Sequence, residues 1–439
     1  MKKVLVIAYF FPPLGWSGVQ RTLKFVKYLQ DFGWEPIVVT VGKSRFSIID
    51  HSLEEEIPGN ISVIRIDDIM LKKHTDKMLE ELMNFVHTSF DIINDETIKT
   101  EYISGIENLM VQLRTALFFP DDKIAWANSV IDQVDRYIDL SDIDVIFTTG
   151  KPWSTHTIGY DIKKRYNKPW VADFRDEWTN NVYEEYDKND IRYKMEYALE
   201  EKIVNYADVI VTTSNISSDN YRSIFNLPYE KVRTITNGYD EGDFKDIKIV
   251  LTDKFTIVHN GAFYSVRTPY NFLKAINNLI EKGKIDSNKI NVHFIGTCEP
   301  KIKAEIEDMA VNNYITWTSY LSHIESIKEA SKANLLLLIT GEKEKVKAMI
   351  PGKIFEYLRM NIPIFSISPK GSAVDDILKE TKRGHNVENN DIDTMEEIIY
   401  QYYLNWVNNA RFDYDDKVIS KCERRNLTKA LANIFDEIS

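Results

Sequence analysis

The chain has 439 residues, about three times the length of a typical domain, which indicates two large domains or three small ones. Its 55 Lys and Arg residues against 67 Asp and Glu residues give a net charge of −12, which disfavours a nucleic-acid-binding surface. With 44% hydrophobic and 28% charged residues, the composition is that of a globular protein with buried cores, and it excludes disordered and fibrous classes.

The number of cysteines and the length of the apolar runs indicate the cellular compartment. Cys298 and Cys422 are the only cysteines and lie far apart in sequence, so neither a disulfide framework nor a zinc cluster is expected. The first apolar run, residues 4–11, ends at two prolines, and no stretch has the length of a membrane-spanning helix. We therefore expect a cytoplasmic protein, while composition leaves peripheral contact with the inner face of a membrane open.

The first forty residues have the pattern of a βαβ unit. Residues 4–9 form a continuous apolar run, as expected for a parallel strand buried on both faces. A glycine-containing loop follows, then apolar residues at helical spacing over 19–29, then a second strand over 36–40. This order predicts a parallel α/β sheet.

Residues 70–140 interrupt this rhythm with a charged, helical pattern that predicts a helical insertion. The alternation of strands and helices then resumes up to the turn dipeptide at 237–238. The predicted strands lie at 144–149, 169–174, 208–213 and 232–236, and the predicted helices lie at 155–166 and 191–206.

A polar stretch over 239–253 is the predicted linker, and the alternation begins afresh after it. The strands predicted in this half lie at 255–259, 290–295, 314–318, 334–339 and 362–367, with helices between them and after the last. The sequence therefore predicts two Rossmann-like, doubly wound parallel sheets facing a cleft, where open α/β sheets bind ligands. The expected limits are a first domain over 1–245, a second domain over 246–410, and a C-terminal helix over 411–439 that packs back on the first domain.

Several residues of the first half have types and positions that suit chemistry. Gly15 and Gly18, in the first βα loop, allow backbone N–H groups and a helix N-terminus to approach an anion, although a plain turn is an equal alternative. Asp173 and Asp176 follow a strand and could orient or deprotonate an acceptor hydroxyl, or brace the sheet edge together with a neighbouring arginine. His156, early in a helix, could reach the cleft or be structural. The two carboxylates have no accompanying histidine cluster, so no metal site is predicted.

The second half carries a second set of candidates. Lys353 and Glu356 lie three residues apart on one face of a predicted helix whose start follows Pro351. A cation near phosphates and a carboxylate accepting from ribose hydroxyls would together hold a nucleotide diphosphate. Arg267 follows the strand over 255–259 and could neutralise charge on a departing phosphate. A solvated Lys/Glu pair and an ordinary surface arginine are the alternatives.

These residues resemble the retaining glycosyltransferase family 4, which has the GT-B fold. Residues 351–358, Pro-Gly-Lys-x-Phe-Glu-Tyr-Leu, are similar to the family's donor-nucleotide segment, and the loop over 261–267 and the strand end at 294–296 resemble other donor-domain landmarks. The segments 170–178 and 120–126 resemble members that build bacterial surface polysaccharides.

The resemblance implies a retaining, metal-independent transferase that uses a nucleotide-diphosphate sugar, a glycan or lipid-linked acceptor and no further cofactor. It implies that Arg267 and Lys353 hold the donor diphosphate beside Gly261 and Gly296, and that Glu356 holds the ribose. The loop with Gly15 and Gly18 would approach the donor phosphates or the acceptor.

Two alternative functions stay open at this point. A nucleotide-sugar epimerase or a phosphorylase would share the two-sheet fold. The second alternative is a catalytically silent subunit that binds a nucleotide sugar or a partner glycosyltransferase. It stays open because Ala348 stands where many family members have a second glutamate. The presence of Arg267, Lys353 and Glu356 argues against a silent subunit.

Overall fold

The computed structural model describes residues 1–15, 17–43, 49–67, 77–82, 84, 96–182, 186–247, 252–265, 267–309, 311, 313–410 and 416–439. The chain divides into two compact units. The first comprises Met1–Thr179, Tyr186–Val211 and Ile434–Ser439, and the second comprises Asn180–Glu185 and Thr212–Asn433. The domain limits predicted near residues 245 and 410 stay predictions, and residues 248–251 and 411–415 beside them lie outside the described residues.

The first sheet is built from buried parallel strands, because its central strands are continuous apolar runs. Its strands are β1 (Lys2–Ile7), β2 (Trp34–Thr40), β3 (Ser62–Arg65), β4 (Val145–Gly150), β5 (Trp170–Phe174), β6 (Val209–Thr212) and β7 (Val232–Thr234). Their order across the sheet is β3-β2-β1-β4-β5-β6-β7. The pairs β1–β2, β1–β4, β2–β3 and β4–β5 are parallel.

Helices connect these strands as the βα alternation predicts. They are α1 (Ser17–Tyr28), α2 (Ser52–Glu55), α3 (Glu96–Leu117), α4 (Ile124–Gln133), α5 (Ser154–Tyr166), α6 (Ile191–Tyr206) and α7 (Asn215–Phe225). Helices α3 and α4 fall within the predicted helical insertion, of which residues 70–76, 83 and 85–95 lie outside the described residues. Strand β3 and helices α2 and α7 escaped prediction, because β3 is short and half-exposed and α7 begins with a polar run.

The second sheet repeats the architecture. Its strands are β8 (Phe255–Asn260), β9 (Ile290–Ile295), β10 (Ile315–Thr318), β11 (Leu335–Ile339), β12 (Ile364–Ile367) and β13 (Gly384–Val387), in the order β10-β9-β8-β11-β12-β13 with parallel pairings. Its helices are α8 (Tyr270–Glu281), α9 (Pro300–Asp308), α10 (His323–Ala330), α11 (Lys353–Arg359), α12 (Ala373–Thr381), α13 (Ile392–Val407), α14 (Asp416–Ser420) and α15 (Arg424–Ile438). The short strand β13 was not predicted.

The core of the second unit lies on both faces of this sheet. Leu335, Leu337 and Ile339 belong to one cluster of buried apolar side chains. Leu336 and Leu338 belong to another, because successive side chains of a strand point to opposite faces. A sheet with buried apolar side chains on both faces is doubly wound, which confirms the predicted fold class of two parallel α/β sheets.

The last residues of α15 complete the core of the first unit. Phe435 is fully buried, and its ring lies edge-on to Trp34 at 5.2 Å and to Phe147 at 5.9 Å between centroids. The ammonium of Lys2 contacts the carboxylate of Asp436 at 3.1 Å. Among the helices of the described segments, none combines the length and apolar character needed to cross a bilayer.

Candidate functional site

Two glycines bring the ends of β8 and β9 close together. Gly261 follows β8, and its N–H donates to the carbonyl of Ile295 at 2.7 Å. Gly296 follows β9 with φ at +124°, and a Cβ there would stand 2.8 Å from the carbonyl oxygen of Gly261. Only glycine tolerates that backbone conformation and that approach. The two glycines predicted to bind the donor are therefore neighbours at the carboxyl edge of the second sheet.

The ammonium of Lys353 lies against this glycine pair. Lys353 is the first residue of α11, and a Cβ on Gly261 would stand 2.1 Å from its Nζ and 3.5 Å from Nε2 of the buried His259. Burial, and then the positive charge of Arg267, lowers the pKa of Lys353 to about 7, while Glu356 acts in the opposite direction. An anionic ligand at the glycines would favour the protonated form of this amine.

Arg267 lines a pocket of about 70 Å³ within the second unit. Its Nε donates to the carbonyl of Thr340 at 3.4 Å, and its Nη2 lies 3.3 Å from Sδ of Met349. The pocket is lined by Val182, Tyr264, Ser265, Arg267, Thr340, Lys343, Val346 and Met349. Among the described residues this lining contains cations and hydroxyl groups and no carboxylate, which suits a negatively charged ligand.

The motif over 351–358 places Glu356 by burying its neighbours. Ile354, Phe355, Tyr357 and Leu358 are buried, and the hydroxyl of Tyr357 accepts the backbone N–H of Asn260 at 2.9 Å. This bond joins α11 to the end of β8. Oε1 of Glu356 accepts from Nε2 of His323 at 2.9 Å. Glu356 is thus held in place by a histidine that the sequence did not single out.

Ala348 offers no carboxylate to a bound sugar. Its backbone carbonyl accepts a hydrogen bond from the hydroxyl of Ser214 at 2.6 Å.

Asp173, in the first unit, is fully buried and engaged. Its Oδ1 accepts from Nη2 of Arg21 at 2.8 Å, and its Oδ2 accepts from the hydroxyl of Thr149 at 2.8 Å. These bonds tie α1 to the ends of β4 and β5. Asp176 is exposed. Contact of either carboxylate with an acceptor stays a prediction. In the present geometry Asp173 positions α1 relative to the ends of β4 and β5.

Arg175 fixes the glycine loop of the first unit. Its Nε donates to the carbonyl of Gly150 at 2.8 Å, and its Nη1 and Nη2 donate to the carbonyls of Gly18 and Lys151. These bonds run to backbone carbonyls, and the carboxylate of Asp173 pairs with Arg21, so a network between Arg175 and the two aspartates stays a prediction. Gly15 is buried in the same loop, whose residue 16 lies outside the described residues.

His156 is a buried, neutral histidine. The hydroxyl of Thr148 lies 2.8 Å from its Nδ1 and already accepts from Nε1 of Trp170 at 2.8 Å, so this hydroxyl can donate to Nδ1 and leave the N–H at Nε2. Burial lowers the pKa of His156 to about 3. Its ring stacks on Phe174 at 4.4 Å, and a Cβ on Gly150 would stand 2.6 Å from Nε2. The predicted catalytic contact of His156 stays a prediction.

Asp121, in the segment over 120–126, bonds the start of α5. Its carboxylate accepts from the backbone N–H of Ser154 at 2.9 Å and from the Ser154 hydroxyl at 2.8 Å. Burial raises the pKa of Asp121. The acid holds the first turn of α5, two residues before His156, a role that required the tertiary fold to recognise.

Comparison with known proteins accords with this geometry. Residues 94–242 match the family described as Glycosyltransferase Family 4. No curated protein sequence matches the chain.

Solved structures are similar over the full length. A glycosyltransferase from Rickettsia africae is 14% identical over 100% of this chain and 98% of its own, with a TM-score of 0.59. HepE from Anabaena, solved with UDP and glucose, is 10% identical over 100% of both chains, with a TM-score of 0.63. A variant of TarM from S. aureus, in complex with fondaparinux, α-GlcNAc-glycerol and UDP, is 12% identical over 99% of this chain and 100% of its own, with a TM-score of 0.61.

These likenesses confirm the GT-B fold, and the family match confirms the resemblance to glycosyltransferase family 4 over residues 94–242. The family match over these residues supports the assignment as a glycosyltransferase.

Proposed function

We propose that the protein is a retaining, metal-independent glycosyltransferase that moves a sugar from a nucleotide-diphosphate sugar to a hydroxyl group of a glycan or lipid-linked acceptor. The observation that carries this proposal is the ammonium of Lys353, which lies against Gly261 beside Gly296 at the carboxyl edge of the second sheet, with the charge of Arg267 acting on it. This is the edge at which open parallel sheets bind nucleotides. The proposal includes no cofactor beyond the donor.

The reaction would be assisted by stabilisation of the leaving group. The bond between the anomeric carbon and the β-phosphate oxygen breaks, and its electron pair passes to the departing nucleoside diphosphate. The acceptor hydroxyl attacks from the same face, and its proton passes to that phosphate, so the anomeric configuration is retained. Arg267 and Lys353 would stabilise the charge that develops on the phosphate, which removes the need for a divalent cation.

We propose a role in bacterial surface polysaccharide synthesis. The segments over 120–126 and 170–178 resemble enzymes of that process. HepE and the TarM variant were each solved with UDP, so UDP is the first donor nucleotide to test. A lipid-linked acceptor would bring the enzyme to a membrane surface without a spanning helix.

A thermal-shift panel of UDP-, GDP-, ADP- and TDP-sugars tests the donor half of the proposal. A ligand that binds the folded state raises the melting temperature by mass action, so one base should give a concentration-dependent increase. The responding donor is then incubated with acceptor glycans, and the anomeric configuration of the product is read by NMR. Absence of any response, or an inverted product, would contradict the proposal.

Ala348 favours a second candidate, a catalytically silent subunit that binds a nucleotide sugar. Such a subunit would respond in the thermal-shift panel and would neither hydrolyse nor transfer the sugar. The same assays separate an epimerase, which converts the donor with no acceptor present, and a phosphorylase, which requires free phosphate.

A further inference from the structure

His323 bonds Glu356 through one ring nitrogen, and its other ring nitrogen faces the carboxylate of Asp243 at a longer distance. Nε2 of His323 lies 2.9 Å from Oε1 of Glu356, and Nδ1 lies 3.9 Å from Oδ2 of Asp243. The side chains of His323, Glu356 and Asp243 are only 23%, 19% and 10% exposed, so water screens their mutual attraction weakly.

The position of the imidazole ring is set by local backbone structure. His323 is the first residue of α10, whose start is fixed by a capping box between Ser322 and Glu325. Asp243 lies in the short helical turn Glu241–Phe244. The backbone that carries the His323 ring is therefore fixed by local structure, independently of a ligand.

The hydrogen bond from His323 engages one carboxylate oxygen of Glu356 and leaves the other able to bind a ligand. A carboxylate only accepts, so Nε2 of His323 carries the donated proton and engages Oε1. Oε2 can then accept from a hydroxyl group of a bound ribose. Asp243, at 3.9 Å from Nδ1, is too far away for a hydrogen bond and acts on the ring through its negative charge.

We infer that His323, supported by Asp243, is a positioning residue that holds the Glu356 carboxylate in the orientation required by the ribose hydroxyls of the donor; this inference rests on the proposed function. The side chain of a free glutamate samples many rotamers, and a bound nucleotide would have to select one of them at an entropic cost. The bond from His323 removes that cost in advance. Its contribution is therefore specific to ligands that carry ribose hydroxyls.

The test compares UDP with 2′,3′-dideoxy-UDP by calorimetry on the full chain, with the GDP or ADP pair replacing them if the thermal-shift panel selects a purine. We expect His323→Ala to weaken UDP binding about tenfold, equivalent to about 1.4 kcal/mol, and to leave dideoxy-UDP binding unchanged. His323→Gln retains an N–H donor near the position of Nε2 and should recover most of the affinity. His385→Ala is the matched control, because His385 pairs with the Tyr402 hydroxyl at 2.7 Å and should affect neither ligand.

Equal losses for both nucleotides would overturn the inference while leaving the proposed function intact, because they would indicate general damage to the nucleotide site. Unchanged UDP binding in His323→Ala would overturn it as well. If that variant does not fold, Asp243→Asn is measured with the same pair of ligands and should show the same selectivity. Failure of the parent protein to bind any nucleotide would overturn the proposed function and this inference together.

Discussion

The ammonium of Lys353 occupies the space that a side chain on Gly261 would need, since a Cβ at Gly261 would stand 2.1 Å from Nζ. Gly261 also has φ at +153°, a conformation that residues with a side chain rarely adopt. A glycine is therefore required at position 261 for two reasons: the backbone conformation and the space that the Lys353 ammonium occupies. The cation in turn stands where the end of β8 would meet an anionic ligand.

The first prediction concerns Gly261→Ala. Its methyl group should displace the Lys353 ammonium and weaken UDP binding about tenfold or more, because a phosphate loses its charged partner. Gly283→Ala is the matched control: φ there is +66°, and a Cβ would meet nothing within 4 Å. Gly283→Ala should lose about 1 kcal/mol of unfolding free energy through left-handed backbone strain, and Gly261→Ala about 1–3 kcal/mol, because its backbone conformation is rarer still for a residue with a side chain. Calorimetry and urea unfolding separate the effects, and equal UDP affinity in the two variants would contradict the assigned role of Lys353.

The second prediction concerns Lys353→Ala. Loss of the cation that stabilises the leaving diphosphate should lower the transfer rate about a hundredfold or more, the size of effect seen when one preorganised charge partner is removed. Lys370→Ala removes an exposed lysine of the same unit and should retain full activity. The measurement is the initial rate of transfer at saturating donor. Unchanged turnover in Lys353→Ala would defeat the assignment.

The third prediction is a pH dependence of donor binding. The pKa of Lys353 is lowered to about 7 from its usual 10.5, so the unliganded protein loses this positive charge as the pH rises above 7. A diphosphate favours the charged form, so its Kd should rise by up to about tenfold per pH unit above 7, with uptake of a proton on binding. Calorimetry in buffers of different ionisation enthalpy measures that uptake. Lys353→Met should bind weakly with no such dependence, and a flat profile in the parent protein would count against the argument.

The fourth prediction concerns the ion pair between Arg21 and Asp173. Both side chains are almost completely buried, so Asp173→Ala leaves an uncompensated guanidinium and should lower the unfolding free energy by about 3–5 kcal/mol. Asp436→Ala breaks the exposed pair with Lys2 and should cost less than about 1 kcal/mol. Urea unfolding followed by circular dichroism measures both. A stable but inactive Asp173→Ala protein would instead favour direct contact of this carboxylate with the acceptor.

The sequence sufficed for the elements whose patterns are local. The strand over 334–339 and the helix that begins after Pro351 were predictable because a continuous apolar run and a proline at a helix start each have a direct structural meaning. The shared face of Lys353 and Glu356 followed from their spacing.

The partners of the candidate residues were not predictable in the same way. Arg21 meets Asp173 across 152 positions of sequence, and His323 meets Glu356 across 33. Such pairs depend on how strand ends and helix starts are juxtaposed in the sheet, which the spacing of residues along one element does not encode. The edge strands β3 and β13 were missed for a related reason, since short half-exposed strands lack the apolar run that marks central ones.

The burial of Phe435 between Trp34 and Phe147 has a consequence for biosynthesis. The ribosome makes β1, β2 and β4 early, yet the aromatic ring that completes their core is synthesised only after every strand of the second sheet. The core of the nascent first unit therefore stays incomplete, with apolar surface exposed, until α15 has been synthesised. Transiently exposed apolar surface of this kind makes a folding intermediate prone to aggregation.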